Sequence, residues 1–252
     1  MMKNFIYSTL ILISLGACSM QDNGDSTFDR ATPTTGQAGS LARFAIQGDN
    51  LYIVDKTNLR TFSLTTPTQP KQIHTTNIGF GIETIFPYQN KFFIGASDAM
   101  YIYDFSNPEA PVQLSRYQHI TACDPVVAQG NYAYVTLRNS QVTCTRSENV
   151  LEVVDISNPT SPQMITRLSM INPHGLGVDG TDLFVTEGSN GLKRFDITDP
   201  TKPIETEFLR NTASFDVIPR NKTLIAVGSD GLYQYDYSQS PMQLLSKIPV
   251  TK

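Results

Sequence analysis

The fold is decided by a stretch that reads LEVVDISNP, residues 151–159, because close copies of it recur along the chain. Each copy is an apolar run that ends in an aspartate and leads into a turn sequence. The other copies are residues 100–108 (MYIYDFSNP), 192–200 (LKRFDITDP), 232–237 (LYQYDY) and a degenerate copy without the aspartate, residues 59–64 (LRTFSL). Five phased copies indicate an internal structural repeat.

Prolines give the period of the repeat. They step by 41, 51, 41 and 41 residues along the series Pro67, Pro108, Pro159, Pro200 and Pro241. The third unit therefore carries an insertion of ten residues, which we place within residues 138–149.

Each period holds four short strand-like runs separated by Gly, Asn, Asp and Pro turns. The second run is apolar on both sides of the pleat, as in residues 183–185 and 224–227, which is typical of a strand buried on both faces. A four-stranded meander of this period is a propeller blade. We predict an all-β, five-bladed β-propeller of antiparallel blades beginning near residues 41, 82, 123, 173 and 215. No strand is left over, so blades one and five are expected to meet by side-chain packing.

The copies resemble the LVIVD repeat, which is named for an apolar run that ends in aspartate and is usually followed by Ile-Ser-Asp/Asn-Pro. Residues 151–162 are the copy most similar to that motif, while Ser63 and the Lys193-Arg194 pair depart from it. The resemblance extends over nearly everything after residue 40. It implies propeller blades and, since the family has no common activity, no particular chemistry.

The amino terminus predicts export. Lys3 precedes an apolar run, residues 5–15, which suits a signal-peptide core and falls short of the roughly 20 residues of a membrane span. The sequence LGAC at residues 15–18 resembles the lipobox of bacterial lipoproteins, in which the cysteine is diacylated and becomes the first mature residue. The alternative is an ordinary signal peptide with a chance cysteine.

These features predict three segments. Residues 1–17 are the signal peptide, residues 18–40 are the lipidated Cys18 with a polar flexible tether, and residues 41–252 are the propeller. Ser19 stands where some lipoproteins carry an aspartate that retains them at the inner membrane. The resemblance therefore implies an acylated (palmitate-bearing) protein anchored to the outer membrane, facing the periplasm or the cell surface.

Net charge and cysteine content limit the possible partners and cofactors. The formal net charge of −4 and the absence of a basic patch argue against a nucleic-acid partner. If Cys18 carries lipid, Cys123 and Cys144 remain as a pair, and an oxidising compartment favours a disulfide over two free buried thiols. No metal-ligand spacing is present nearby, so we predict neither a metal site nor a cofactor.

The repeated aspartates form one candidate carboxylate set. They end the third strand of each blade, directly before a turn, where a carboxylate can accept turn N–H groups. We therefore assign a structural role to Asp104, Asp155, Asp196 and Asp236.

The starts of the first strands form a second candidate set, because they lie nearest the axis of a propeller. Aligning the blades puts Glu83, Asp124 and His174 at equivalent positions, with Ala42 and Phe215 in blades one and five. Such a group could bind a cation or perform acid–base chemistry. The alternative is a polar, water-filled funnel. The insertion and the cysteine pair are expected at the same end.

Two function classes remain. The first is a lipid-anchored, extracytoplasmic interaction module that binds a partner protein or a surface glycan. The second is an extracytoplasmic lyase or hydrolase that uses Glu83, Asp124 and His174. No Gly-x-Ser-x-Gly, His-Glu-x-x-His, phosphate loop or dinucleotide fingerprint is present, which favours the binding module over the enzyme.

Overall fold

A computed structural model describes residues 39–119, 125–139 and 148–250 of the chain. The predicted signal peptide, Cys18, the tether, Cys123, Asp124 and Cys144 lie outside these residues, and the expectations about them stay predictions. Within the described part of the chain, no helix is long and apolar enough to cross a membrane.

The described residues form five four-stranded antiparallel sheets, each with its strands in chain order. The all-β, five-bladed prediction is confirmed. The strands are β1 (Phe44–Gln47), β2 (Asn50–Val54), β3 (Asn58–Ser63) and β4 (Lys71–Asn77) in blade one; β5 (Ile82–Tyr88), β6 (Lys91–Ala96), β7 (Ala99–Asp104) and β8 (Val112–Gln118) in blade two; β9 (Val126–Gln129), β10 (Tyr132–Leu137), β11 (Val150–Asp155) and β12 (Gln163–Ser169) in blade three; β13 (Leu176–Asp179), β14 (Asp182–Thr186), β15 (Leu192–Asp196) and β16 (Ile204–Leu209) in blade four; β17 (Asp216–Arg220), β18 (Thr223–Gly228), β19 (Gly231–Asp236) and β20 (Gln243–Pro249) in blade five.

The repeated aspartates close the turns after the third strands, as predicted. Asp104 Oδ1 accepts the N–H of Ser106 at 2.7 Å, and Asp155 Oδ1 accepts the N–H of Ser157 at the same distance. Hydrogen bonds from these serines hold the pKa of both carboxyl groups below its usual range. In the degenerate blade one, Ser63 Oγ accepts the turn N–H in place of the carboxylate, at a longer 3.4 Å.

The two ends of the blades differ in sequence and are named here. The turn face comprises the turns after the third strands, residues 64–70, 104–111, 155–162, 196–203 and 236–242. The pocket face is the opposite end, where the first strands begin, and comprises residues 39–43, 78–83, 125, 138–139, 171–175 and 210–216.

Burial shows which sheets are covered on both sides. In blades two to four the second strand is buried on both faces, and Phe93, Val135 and Phe184 are fully inaccessible. In blade five Leu224 is likewise 0% exposed, but its neighbour Ile225 is 40% exposed. The prediction that residues 224–227 are buried on both faces is therefore wrong, because the outer face of blade five is not fully covered.

The matching face of blade one is also open. Phe44 and Ile46 of blade one are 55% and 46% exposed, and Leu232, on the same face of blade five as Ile225, is 39% exposed. Packing between blades one and five is therefore incomplete, in contrast to the expectation from the strand count.

Hydrogen bonds at the inner end join the two blades instead. Ser40 Oγ donates to Asp216 Oδ1 at 3.2 Å, and the N–H of Leu41 donates to Asp216 Oδ2 at 3.4 Å. Ser40 Oγ also accepts the N–H of Leu176 at 2.8 Å. Gly39 permits this close approach, since a β-carbon there would lie 2.0 Å from Asp216 Oδ2. These contacts tie the segment that precedes blade one to blades four and five.

Candidate functional site

A cavity of about 180 Å³ lies where the first strands begin, on the pocket face. Every blade contributes at least one residue to its wall. The lining residues are Leu41, Glu83, Pro125, Arg138, His174 and Phe215. A site built from all five blades lies close to the axis around which they are arranged.

Strand register explains why these side chains meet. The first hairpins of blades two, four and five close with the pairs Tyr88–Lys91, Asp179–Asp182 and Arg220–Thr223. Counting back five residues from the first member of each pair gives the lining residues Glu83, His174 and Phe215. In blade one the lining residue is Leu41, which precedes the expected Ala42. Asp124, the third member of the predicted set, lies outside the described residues.

Glu83 reaches the cavity from a β-bulge. The register of β5 against β6 shifts between Ile82 and Thr84, so Glu83 is the extra residue, and bulges commonly redirect side chains in this way. Burial raises the pKa of Glu83, and the nearby positive charges of Arg43 and Arg138 partly offset that effect. The carboxyl group is therefore easier to protonate than an exposed glutamate.

His174 is held rigidly by its backbone and its ring. Its N–H donates to the carbonyl of Thr186 at 2.8 Å, and its carbonyl accepts the hydroxyl of Thr136 at 2.7 Å. The imidazole stacks on Phe215 with ring centroids 5.3 Å apart and planes inclined by 26°. Burial lowers the pKa of His174 to about 4, and the charge of Arg138 acts in the same direction.

This pKa makes stability depend on pH in a definite direction. The pKa of His174 is about 4 in the folded protein and about 6.5 in the unfolded chain. As the pH falls from 6.5 towards 4, the unfolded chain binds a proton that the folded protein does not, so the contribution of His174 to the free energy of unfolding is full above pH 6.5 and is lost over this range. Allowing for partial solvent screening, we expect the free energy of unfolding of the wild type to fall by about 1–2 kcal/mol more than that of His174→Gln between pH 7 and pH 5.

Urea unfolding at the two pH values measures this difference. Asp216, whose pKa burial raises to about 6, acts in the opposite direction but is present in both proteins and cancels. His74→Gln, which removes a histidine of strand β4, is the control and should follow the wild type. Parallel pH profiles for the wild type and His174→Gln would contradict the assignment.

A buried ion pair fixes the segment that leads into His174. Glu187 is fully buried and accepts the N–H groups of Ile171 at 3.1 Å and Asn172 at 2.6 Å. Lys193 Nζ lies 3.3 Å from Glu187 Oε1 and is itself 9% exposed at the side chain. In the sequence, Lys193 departs from the apolar run of the motif that the repeat resembles. The structure explains this charge, because Lys193 pairs with the buried Glu187.

Two residues at or beside the site escaped sequence reasoning. Arg138 was noted only as the start of the insertion, and its charge acts on both Glu83 and His174. Asp216 follows the expected Phe215 by one residue and is the carboxylate that joins blade five to Ser40 and Leu41. In the sequence, the only signal for this carboxylate is that an Asp directly follows the aligned position Phe215.

Four large apolar side chains of the pocket face are exposed, and two of them, Leu41 and Phe215, line the cavity. Phe80 is 79% exposed, Ile171 46%, Leu41 41% and Phe215 38%. Phe80 stands in a Gly-Phe-Gly junction, where Gly81 has a φ of +70° and a β-carbon would lie 2.2 Å from Ser97 Oγ. Of the exposed large apolar residues in the described ranges, none lies in the turns that make up the turn face.

The described residues do not bring together a set of metal ligands. Within residues 39–119, 125–139 and 148–250, no group of three or more His, Cys, Asp or Glu side chains is placed to hold a metal ion. Glu83 and His174 are the two members of the predicted set that the structure brings to one cavity.

Comparison with known families identifies the repeat. The family model described as the LVIVD repeat matches residues 121–169, which include β9 to β12 of blade three. No curated protein matches this sequence.

Several solved structures share the fold of this chain at low sequence identity. A protein from Lactobacillus plantarum is 16% identical with a TM-score of 0.65, over 82% of this chain and 71% of that one. The periplasmic gluconolactonase of Pseudomonas aeruginosa is 14% identical with a TM-score of 0.61, over 81% and 68%. A chain from a complex of Saccharomyces cerevisiae Dbp5 bound to Nup159 and Gle1 is 11% identical with a TM-score of 0.54, over 85% and 62%.

Proposed function

We propose that the protein is a lipid-anchored envelope propeller that binds a partner protein through its pocket face. The observation that carries this proposal is the exposure of four large apolar side chains on the pocket face, Leu41, Phe80, Ile171 and Phe215, of which Leu41 and Phe215 also line the cavity. Large apolar side chains exposed on one face of a protein are typical of protein-binding sites. The described turns of the turn face contain no exposed large apolar residue, although Val112 and Ile204 directly follow two of them.

The lipid anchor and envelope location rest on the sequence. The lipobox-like residues 15–18 support acylation of Cys18, and Ser19 supports the outer membrane. One similar fold belongs to a periplasmic enzyme and another to a protein complex, so propellers of this kind occur in both settings. The predicted disulfide between Cys123 and Cys144 would lie in the same compartment and at the pocket face.

Photo-crosslinking tests the docking face in cells that express the full-length protein. p-Benzoylphenylalanine in place of Phe80 should crosslink to one partner protein recovered with the membrane fraction. The same probe in place of the exposed Glu109 of the turn face should not. Ile171→Asp should reduce the Phe80 crosslink at least tenfold, because exposed apolar anchors dominate protein interfaces.

Matched variants control this experiment. Ile204→Asp, at an exposed isoleucine away from the pocket face, should leave the crosslink unchanged. Cys18→Ser should move the protein and its crosslinked product to the soluble fraction. Crosslinking from Glu109 but not from Phe80 would overturn the proposed face, and recovery of a glycan at Phe80 would replace the protein partner by a saccharide.

Opposing pKa shifts favour a second candidate function. Burial raises the pKa of Glu83 and lowers that of His174 in one cavity, which moves both groups towards the neutral acid and neutral base of proton-transfer catalysis. A lyase or hydrolase would require both groups, so turnover of a sugar lactone that is lost in Glu83→Gln and in His174→Gln would establish it in place of the binding module.

A further inference from the structure

We propose that the cavity on the pocket face receives the phenol side chain of a tyrosine from the docked partner. This inference rests on the proposed function and names the group that the central cavity recognises. It follows from the shape of the walls and from the charges that surround the cavity.

The walls suit one flat apolar ring. Leu41, Pro125 and Phe215 supply apolar surface, and the imidazole of His174 is stacked on Phe215. Aromatic rings gain most from such stacked or edge contacts. A volume of about 180 Å³ is below the roughly 300–1,000 Å³ of pockets that bind drug-sized ligands, so a single side chain fits it better than a larger molecule.

The cavity carries charges of both signs. Glu83 and Arg138 line it and Arg43 acts on the same carboxyl, so an ionised group is attracted by one side chain and repelled by another, whereas a neutral polar group can hydrogen-bond to both Glu83 and Arg138. A hydrocarbon side chain would displace water from Glu83 and Arg138 without replacing its hydrogen bonds, which is unfavourable. The occupant is therefore neutral with a polar tip.

A hydroxyl group meets this requirement because it both donates and accepts hydrogen bonds. It can donate to Glu83 and accept from Arg138, both of which line the cavity. Serine and threonine lack the ring that would cover Leu41 and Phe215. Tryptophan offers only a donor. Neutral histidine also combines a ring with a donor and an acceptor, but its polar atoms lie in the ring itself, whereas tyrosine places an apolar ring against Leu41 and Phe215 and carries its hydroxyl at the tip.

Binding of p-cresol, the side-chain analogue of tyrosine, tests the inference by NMR titration of the isotope-labelled protein. We expect p-cresol to shift the signals of Arg138 and His174 and to bind about three- to tenfold more tightly than toluene. 4-Methylbenzoate and 4-methylbenzylamine should bind more weakly than p-cresol, because each brings an ionised group into the cavity.

Variants distinguish recognition by the cavity from non-specific hydrophobic binding. Glu83→Leu should remove the preference for p-cresol over toluene, whereas Glu109→Leu on the turn face should retain it. Phe215→Ala should weaken both probes. Equal binding of toluene and p-cresol by the wild type, or tighter binding of methyl glucoside than of p-cresol, would overturn the tyrosine assignment.

The outcomes distinguish this inference from the docking proposal. Crosslinking from Phe80 does not depend on the cavity probe. Crosslinking without selective p-cresol binding would overturn the tyrosine assignment and leave the docking face in place. Selective p-cresol binding without crosslinking would overturn the docking face and leave a phenol-binding cavity.

Discussion

Replacing Asp182 by alanine is expected to lower the free energy of unfolding by about 3–5 kcal/mol. The Asp182 side chain is 9% exposed and accepts from Arg194 Nε at 2.8 Å and from Lys222 Nζ at 3.0 Å. Arg194 is 13% exposed at its side chain and also donates to the carbonyls of Tyr237 and Gln239 in blade five, each at 3.1 Å. Removing the carboxylate leaves a mostly buried guanidinium at the interface of two blades, with only the exposed carboxylate of Asp196 to balance its charge.

Urea unfolding of three variants checks the assignment. Lys222→Met should cost no more than about 1 kcal/mol, because the Lys222 side chain is 52% exposed and its pair with Asp182 is screened by water. The double variant Asp182→Ala/Arg194→Met should recover part of the loss, since it leaves no unpaired buried charge. A cost below about 1 kcal/mol for Asp182→Ala would show that Arg194 finds adequate partners in the two carbonyls alone.

Much of the fold could be predicted because the repeat carries it. An Asp that ends an apolar run accepts a turn N–H wherever it occurs, so residues 100–108 and 151–159 specify the same local structure without knowledge of the rest of the chain. The period then fixes the number of blades. Local hydrogen-bonding rules and periodicity thus suffice for five sheets.

The open faces of blades one and five could not be read in this way. Residues 224–227 have the apolar composition of a strand buried on both faces, yet Ile225 is 40% exposed. Whether a neighbouring blade covers such a face depends on the angles at which all the blades pack, which no local segment encodes. The polar Gln234, paired with Ile225 across the sheet, was the one hint in the sequence.

The site was predictable to the extent that it follows from register. Equivalent positions in successive first strands bring Glu83, His174 and Phe215 to one cavity. Arg138 comes from the end of a second strand, and its approach to that cavity depends on tertiary packing. The same is true of Lys193 and Arg194, whose carboxylate partners become visible only once strands β14 and β15 are paired.

Replacing Glu187 by alanine should lower the free energy of unfolding by about 3 kcal/mol and also alter the cavity. The change removes a fully buried carboxylate and leaves the N–H groups of Ile171 and Asn172 without their acceptor. Lys193 retains Glu205, whose carboxylate lies 3.0 Å from Nζ, so the cost stays at the lower end for a broken buried pair.

The effect on His174 separates a positioning role from a purely structural one. Because Glu187 holds the segment that leads into His174, loosening it should let water reach the imidazole and move its pKa from about 4 back towards 6.5. NMR titration of the His174 ring measures this shift. Glu205→Ala is the matched control, because the Glu205 side chain is 43% exposed and pairs with Lys193. Both the free energy of unfolding and the pKa of His174 should therefore stay near their wild-type values in this variant. A destabilised Glu187→Ala protein with an unchanged His174 pKa would limit Glu187 to holding blade four together, because a group that positions the imidazole has to change its solvation when it is removed.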